Sequence, residues 1–165
     1  SYGYTTLHVL APLDYDEIVT LLLDNGADPN IPATGYMGVA PLHWAAGRGS
    51  TATMQALQEG GADVDIKNDD GQTPLAYIVG RDNSPLDYLI KVDQLLAAGA
   101  DPNAQDNYGN TVLHYAARFD HAEAIPLLLE HGAKVEAENN NGETPLDVAA
   151  SDEIRRLLGG TGAAE

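Results

Sequence analysis

The chain has no cysteine, one phenylalanine, one tryptophan and two methionines in 165 residues. Without cysteine, disulfide staples and thiolate metal sites are excluded, and the compartment is left undecided between cytoplasm, which is favoured, and periplasm or exterior. No apolar run approaches the roughly 20 residues that a membrane-spanning helix needs, so membrane insertion is not expected. Bases are scarce too: eight Lys and Arg stand against 25 Asp and Glu, a formal net charge of −17. Nucleic-acid binding begins with neutralised phosphates, and eight scattered cations make no basic stripe. An acidic surface steers basic partners toward it, and it equally serves plain solubility. An initiating methionine is also missing: the chain opens SYGYTT, as a fragment of a longer protein does, or a mature form whose leader has been removed.

Catalytic signatures are likewise missing. There is no Gly-rich phosphate loop, no G-x-S-x-G and no H-E-x-x-H. Asp69 and Asp70 are adjacent on an expected open loop, where little burial separates their pKa values. The stretch DVDIKNDDG at 63–71 looks calcium-like, but it lacks the glycine and glutamate that an EF-hand loop requires. Neither an enzyme nor a cofactor or metal is expected.

What the chain has instead is repetition. The phrases GYTTLH, GVAPLH, GQTPLA, GNTVLH and GETPLD begin at Gly3, Gly38, Gly71, Gly109 and Gly142, at spacings of 35, 33, 38 and 33. Between them GAD recurs at Gly26, Gly61 and Gly99, and GAK stands at Gly132. In the fourth copy Thr111 can cap a helix whose apolar residues Leu113, Ala116 and Ala117 recur at helical spacing, which predicts a first helix near 112–119. The following DHAEAIPLLLEHGA places acids at its start and glycine past its last turn, a second helix. Each helix pair has an apolar face that only another pair can cover.

A period near 33 carrying T-P-L-H and G-A-D resembles the ankyrin-repeat family over about residues 1–158. The resemblance implies an all-α repeat solenoid: helix-turn-helix units joined by β-hairpin-like loops that project at right angles and line a concave surface. Its units are expected near 1–33, 34–68, 69–106, 107–139 and 140–158, with a flexible tail over 159–165. It implies that His8, His43 and His114 hydrogen-bond neighbouring backbone. About one repeat apart, they are too far from one another to share a metal.

Departures from the pattern are where specificity is sought. Leu75 to Gly99 spans 24 positions where the equivalent interval elsewhere is 19. Ser84, Pro85 and Asp87 read as a helix start, so a loop at 80–84 and a longer helix at 85–98 are expected. The first hairpin is two residues longer than the others, and its tip carries Tyr36 and Met37. Pro126 lies inside a second helix, which it must bend or start late. The fifth unit is short, with Arg155 and Arg156 in place of apolar residues, as a terminal cap requires.

Family practice puts partner contacts on hairpin tips and the exposed ends of first helices. Carried onto this chain, it singles out Tyr4, Tyr36, Met37, Arg48, Asp69, Asp70, Arg81, Tyr108, Arg118 and Phe119. Aromatics and arginine dominate interface energetics, which makes Tyr36, Tyr108, Arg118 and Phe119 the expected anchors. The expected function is a non-catalytic scaffold, monomeric, binding a protein or peptide, with a basic partner favoured by the charge. The other reading is a regulatory or targeting module from a larger enzyme, channel or scaffold.

Overall fold

A computed structural model describes residues 3–35, 37–81 and 87–159. Among these the chain is all helix and turn, with no strand. The helices are α1 (Thr6–Leu10), α2 (Asp16–Asp24), α3 (Pro41–Arg48), α4 (Thr51–Glu59), α5 (Pro74–Val79), α6 (Tyr88–Ala97), α7 (Val112–Arg118), α8 (Ala124–Glu130) and α9 (Asp152–Gly159). They stack in two rows: α1, α3, α5 and α7 on the inside, and α2, α4, α6, α8 and α9 behind them. The expected solenoid is what the chain builds.

Every repeated residue type has a job in that stack. Leu7, Leu42, Leu75 and Leu113 form one fully buried column, and Val19, Met54, Val92 and Ile125 form another. Each such side chain contributes roughly 1.5–3 kcal/mol by leaving water. Ala45, Ala46, Ala116 and Ala117 have no exposure at all, and their small size lets the inner helices approach closely.

The histidines act as two-ended staples. The backbone N–H of Ala40 donates to His43 Nδ1 at 3.2 Å, and that of Thr111 donates to His114 Nδ1 at 3.1 Å. Because Nδ1 accepts, Nε2 carries the proton. It donates to Gln72 O at 2.9 Å from His43, and to Glu143 O at 2.9 Å from His114. His8 does the same between Thr5 and Val39. One ring therefore caps its own helix and ties it to the next unit. Asp147, at the same position in the last unit, accepts from Thr144 N–H and hydroxyl at 2.8 and 2.6 Å. These bonds hold its carboxyl below the ordinary range. Its carboxylate caps the turn from within its own unit.

The GADPN phrase is a clip. Asn30 Nδ2 donates to Gly61 O, while Asp63 N–H donates to Asn30 Oδ1. Asn103 repeats both bonds with Gly132 and Lys134. Hairpin-like loops follow. Asn68 N–H donates to Gln72 O, Asp106 N–H to Asn110 O and Asn139 N–H to Glu143 O, each near 3.0 Å. Neighbouring tips join through Asp69 N–H to Met37 O, Asn107 N–H to Asp70 O and Asn140 N–H to Tyr108 O, all at 2.9 Å.

Three local outcomes have clear causes. α8 starts at Ala124, two positions later in register than α2, so that Pro126 is its third residue. There its missing N–H has no intrahelical acceptor to lose. The acids expected at second-helix starts occupy the first turn of α2 and α9, and Asp87 and Glu123 stand at the N-caps of α6 and α8 without a side-chain cap bond. Ser84 and Pro85, expected to open a helix over 85–98, lie outside the described residues. Asp87 is the N-cap of α6, which therefore begins at Tyr88, three positions later than expected. Tyr36 and all of the tail after Gly159 also lie outside the described residues. Among the described residues α6 is the longest helix, and its buried Lys91 pairs with Asp87 at 3.1 Å.

Candidate protein-binding face

The inner row and the hairpin tips form one continuous surface. The residue after each T-P-L-H phrase points onto it: Trp44, Tyr77 and Tyr115 stand at equivalent positions in successive units, all half-buried. A Cβ on Gly47 would lie 3.2 Å from the Tyr77 ring, and one on Gly80 would lie 3.1 Å from the Tyr115 ring. Each glycine thus gives the next unit's aromatic a seat against its helix. Four residues on, an arginine returns over the ring: Arg48 lies 5.6 Å from the Trp44 centroid and Arg81 lies 5.1 Å from that of Tyr77. In the fourth unit Phe119 takes that place, its ring parallel to Tyr115 at 6.4 Å.

Tyr115 is the best-anchored member. Its hydroxyl donates to Asp106 Oδ2 and accepts from Gln72 Nε2 at 2.9 Å. Burial and the Asp106 bond raise its pKa well beyond the ordinary phenol range. Asp106 also accepts from the backbone N–H of Tyr108 and Asn110, both at 2.8 Å. One carboxylate thereby fixes a hairpin, its exposed tyrosine tip and the ring beneath. Beside it Asn139 and Asn141 donate to Glu143 Oε2, and those bonds hold the Glu143 carboxyl low.

Of the sequence-predicted residues the structure brings two into one cleft and spreads the others along the stack. Tyr108 and Arg118 come together in a cleft of about 360 Å³ lined also by Asn110, Tyr115, Asn139, Asn140 and Asn141. Among the described residues Arg118 pairs with no carboxylate within 4.0 Å. Arg48 and Arg81 hold their rings further forward, and Asp69 and Asp70 lie on the joined tips. Tyr4 stands at the front, edge-on to His8 at 5.6 Å. Met37 is an exposed tip residue at φ +56, a left-handed conformation that an unbranched apolar residue adopts only under constraint. Phe119 is half-buried and turns toward His121, at 6.5 Å. Sequence reasoning passed over Tyr77, Tyr115 and Asp106. The signal for the first two was present as W, Y and Y at one repeat position.

Stacked helix pairs, tip-to-tip hairpins and an open aromatic face define a repeat-solenoid interaction module. Family models bear this out: ankyrin repeats in three copies match residues 87–163, and single ankyrin repeats match 2–33 and 37–69. The chain belongs to the ankyrin-repeat family. It is 35% identical over 148 residues to neurogenic locus notch homolog protein 1 of Xenopus tropicalis, 34% over 148 to that of Homo sapiens, and 36% over 132 to neurogenic locus notch homolog protein 2 of Homo sapiens. Those matches cover 89%, 89% and 79% of this chain but only 6%, 6% and 5% of those proteins. The chain thus spans about a twentieth of the length of these relatives. Among the described residues no helix is long and apolar enough to cross a membrane.

Proposed function

We propose that the chain is a non-catalytic scaffold that binds a protein or extended peptide on its concave face. The observation that carries this reading is the anchored aromatic and arginine row from Trp44 to the Tyr108–Arg118 cleft. Rigid aromatics and arginine on a preformed surface supply contact area at low entropic cost. The net charge of −17 favours a basic partner by raising its association rate, an effect that salt screens. The chain acts as a monomer.

The test is capture on immobilised protein, with the Tyr108→Ala, Arg118→Ala double variant beside it. A partner retained by the wild type is expected to bind the variant at least tenfold more weakly, and raising salt from 0.05 to about 0.5 M is expected to slow its association. Unchanged affinity in the double variant overturns this placement of the site.

The second reading is a regulatory or targeting module within a larger protein. It is favoured by the small fraction of the notch homologues that the match covers. The length of the open reading frame decides it: further domains support this reading, and a frame no longer than the repeats overturns it.

A further inference from the structure

The inner row carries a charge opposite to that of the whole chain. Three of the eight bases, Arg48, Arg81 and Arg118, stand at or just past the ends of α3, α5 and α7. Helix dipoles favour bases at such ends, yet the outer-row helices α2, α4, α6 and α8 finish without one in their last turns. The dipole alone therefore does not account for the row. Four of the other five bases are engaged within the chain: Lys67 donates to Gln105 O, Lys91 pairs with Asp87, and Arg155 and Arg156 both bond to Asp152. Arg48 and Arg118 are exposed, and among the described residues neither has a carboxylate within 4.0 Å.

Both arginines are held ready for an anion. Arg48 lies over the Trp44 ring at 5.6 Å, and a guanidinium stacked on a ring keeps its N–H edge available to a carboxylate. Arg118 shares its cleft with Tyr108 and Asn140. The acids beside that cleft are already engaged, Asp106 by the Tyr115 hydroxyl and Glu143 by Asn139 and Asn141. Asp69 and Asp70 stand on the opposite edge of the face, on the tip before α5, in the unit between those of Arg48 and Arg118. Spacing then selects the occupant. Two units separate the arginines by about 16–20 Å, given the usual 8–10 Å between packed helices. An extended strand covers about 20 Å in six residues and, because its side chains alternate, brings residue i+6 back to the side of residue i. Residue i+3 faces the other way, toward Asp69 and Asp70.

We propose, resting on the concave-face reading above, that the segment seated there is an extended strand with two carboxylates about six residues apart, one held by Arg48 and the other by Arg118. A basic residue midway between them meets Asp69 and Asp70. The net charge acts on the partner at long range, whereas this row decides which of its segments docks.

The test pans a display library of random dodecamer peptides on the whole chain and measures the affinity of a synthetic copy of the enriched sequence. Enriched peptides are expected to carry Asp or Glu at i and i+6 and Lys or Arg at i+3. Arg48→Ala and Arg118→Ala are each expected to weaken the synthetic peptide about tenfold, with helicity unchanged because both side chains are exposed. Arg118→Glu should reject that peptide and accept one whose second acid is replaced by lysine, a reversal that a merely structural role for Arg118 does not produce. Peptides enriched without the acid pair, but lost on Tyr108→Ala, overturn the proposal and leave the binding face standing. No enrichment, or peptides indifferent to Tyr108 and Arg118 alike, overturns both. Arginine-dependent retention of a single-stranded oligonucleotide in place of any peptide would seat phosphates on the row and overturn the proposal as well.

Discussion

Replacing His43 with alanine is expected to lower the unfolding free energy by about 3 kcal/mol at pH 7.5, and by far less near pH 4. The ring is fully buried and serves two groups in different units, the Ala40 N–H and the Gln72 carbonyl. Alanine strands both and leaves a cavity, each effect worth roughly 1–3 kcal/mol. The pH dependence follows from the ring's own titration. Burial lowers the His43 pKa from 6.5 to about 4, so between those values the unfolded chain binds a proton that the folded chain refuses. Stability from this group is present above pH 6.5 and is lost as pH falls toward 4, by about 3 kcal/mol in all. The alanine variant has no such group to lose. Urea midpoints at pH 7.5 and 4.5 should therefore show the gap between wild type and variant closing on acidification. His8 and His114 are lowered in the same direction, also by burial, but both proteins contain them and the difference cancels them. A gap that stays constant with pH would show that the ring is not held neutral by its surroundings.

These staples mark what could be read from the sequence. T-P-L-H and G-A-D recur because each places a bond that must be made once per unit, and a bond repeated every 33 or so residues leaves a period in the letters. The frame was legible for that reason. Asp147 in place of histidine reads as a mere departure until the structure shows it capping with one arm. The candidate site was legible only in its outermost members. Tyr108 and Arg118 stood out as residue types suited to interfaces, but what brings them into one cleft is Asp106, indistinguishable among 25 acids until its bonds to Tyr108, Asn110 and Tyr115 are seen. Trp44 reads as a packed residue, and Tyr77 and Tyr115 pass unnoticed, because side-chain exposure on the inner row is set by the size of a neighbour one unit away. Gly47 and Gly80 hold that information, and no local pattern connects them to the rings they seat. Pro126 was legible as an obstacle to a helix; that the helix starts late instead of bending was settled by the third-residue position.

Gly109→Ala is expected to destabilise the chain strongly, costing about 3–4 kcal/mol. Two penalties combine. Gly109 sits at φ +78, where an L side chain costs about 1–2 kcal/mol. Its Cβ would also lie 2.7 Å from the backbone nitrogen of Asn140, the donor of the bond to Tyr108 O that joins the last two hairpins. Backbone cannot swing aside as a side chain can, so that bond must lengthen or break. Gly26→Ala provides the comparison. It has φ +85 but nothing within 4 Å of the added carbon, so only the conformational penalty applies and a cost of about 1–2 kcal/mol is expected. Chemical denaturation of the two variants separates steric contact from backbone strain, and equal losses would show that contact between hairpins contributes little. The Gly109 variant carries a second consequence. The displaced tip bears Tyr108, so partner binding should weaken with stability, whereas Gly26→Ala, far from the cleft, should leave binding unchanged at temperatures where both remain folded. The stack and the proposed binding face are therefore held by the same bonds, and the tips can present Tyr108 beside Arg118 only while each unit is clipped to the next.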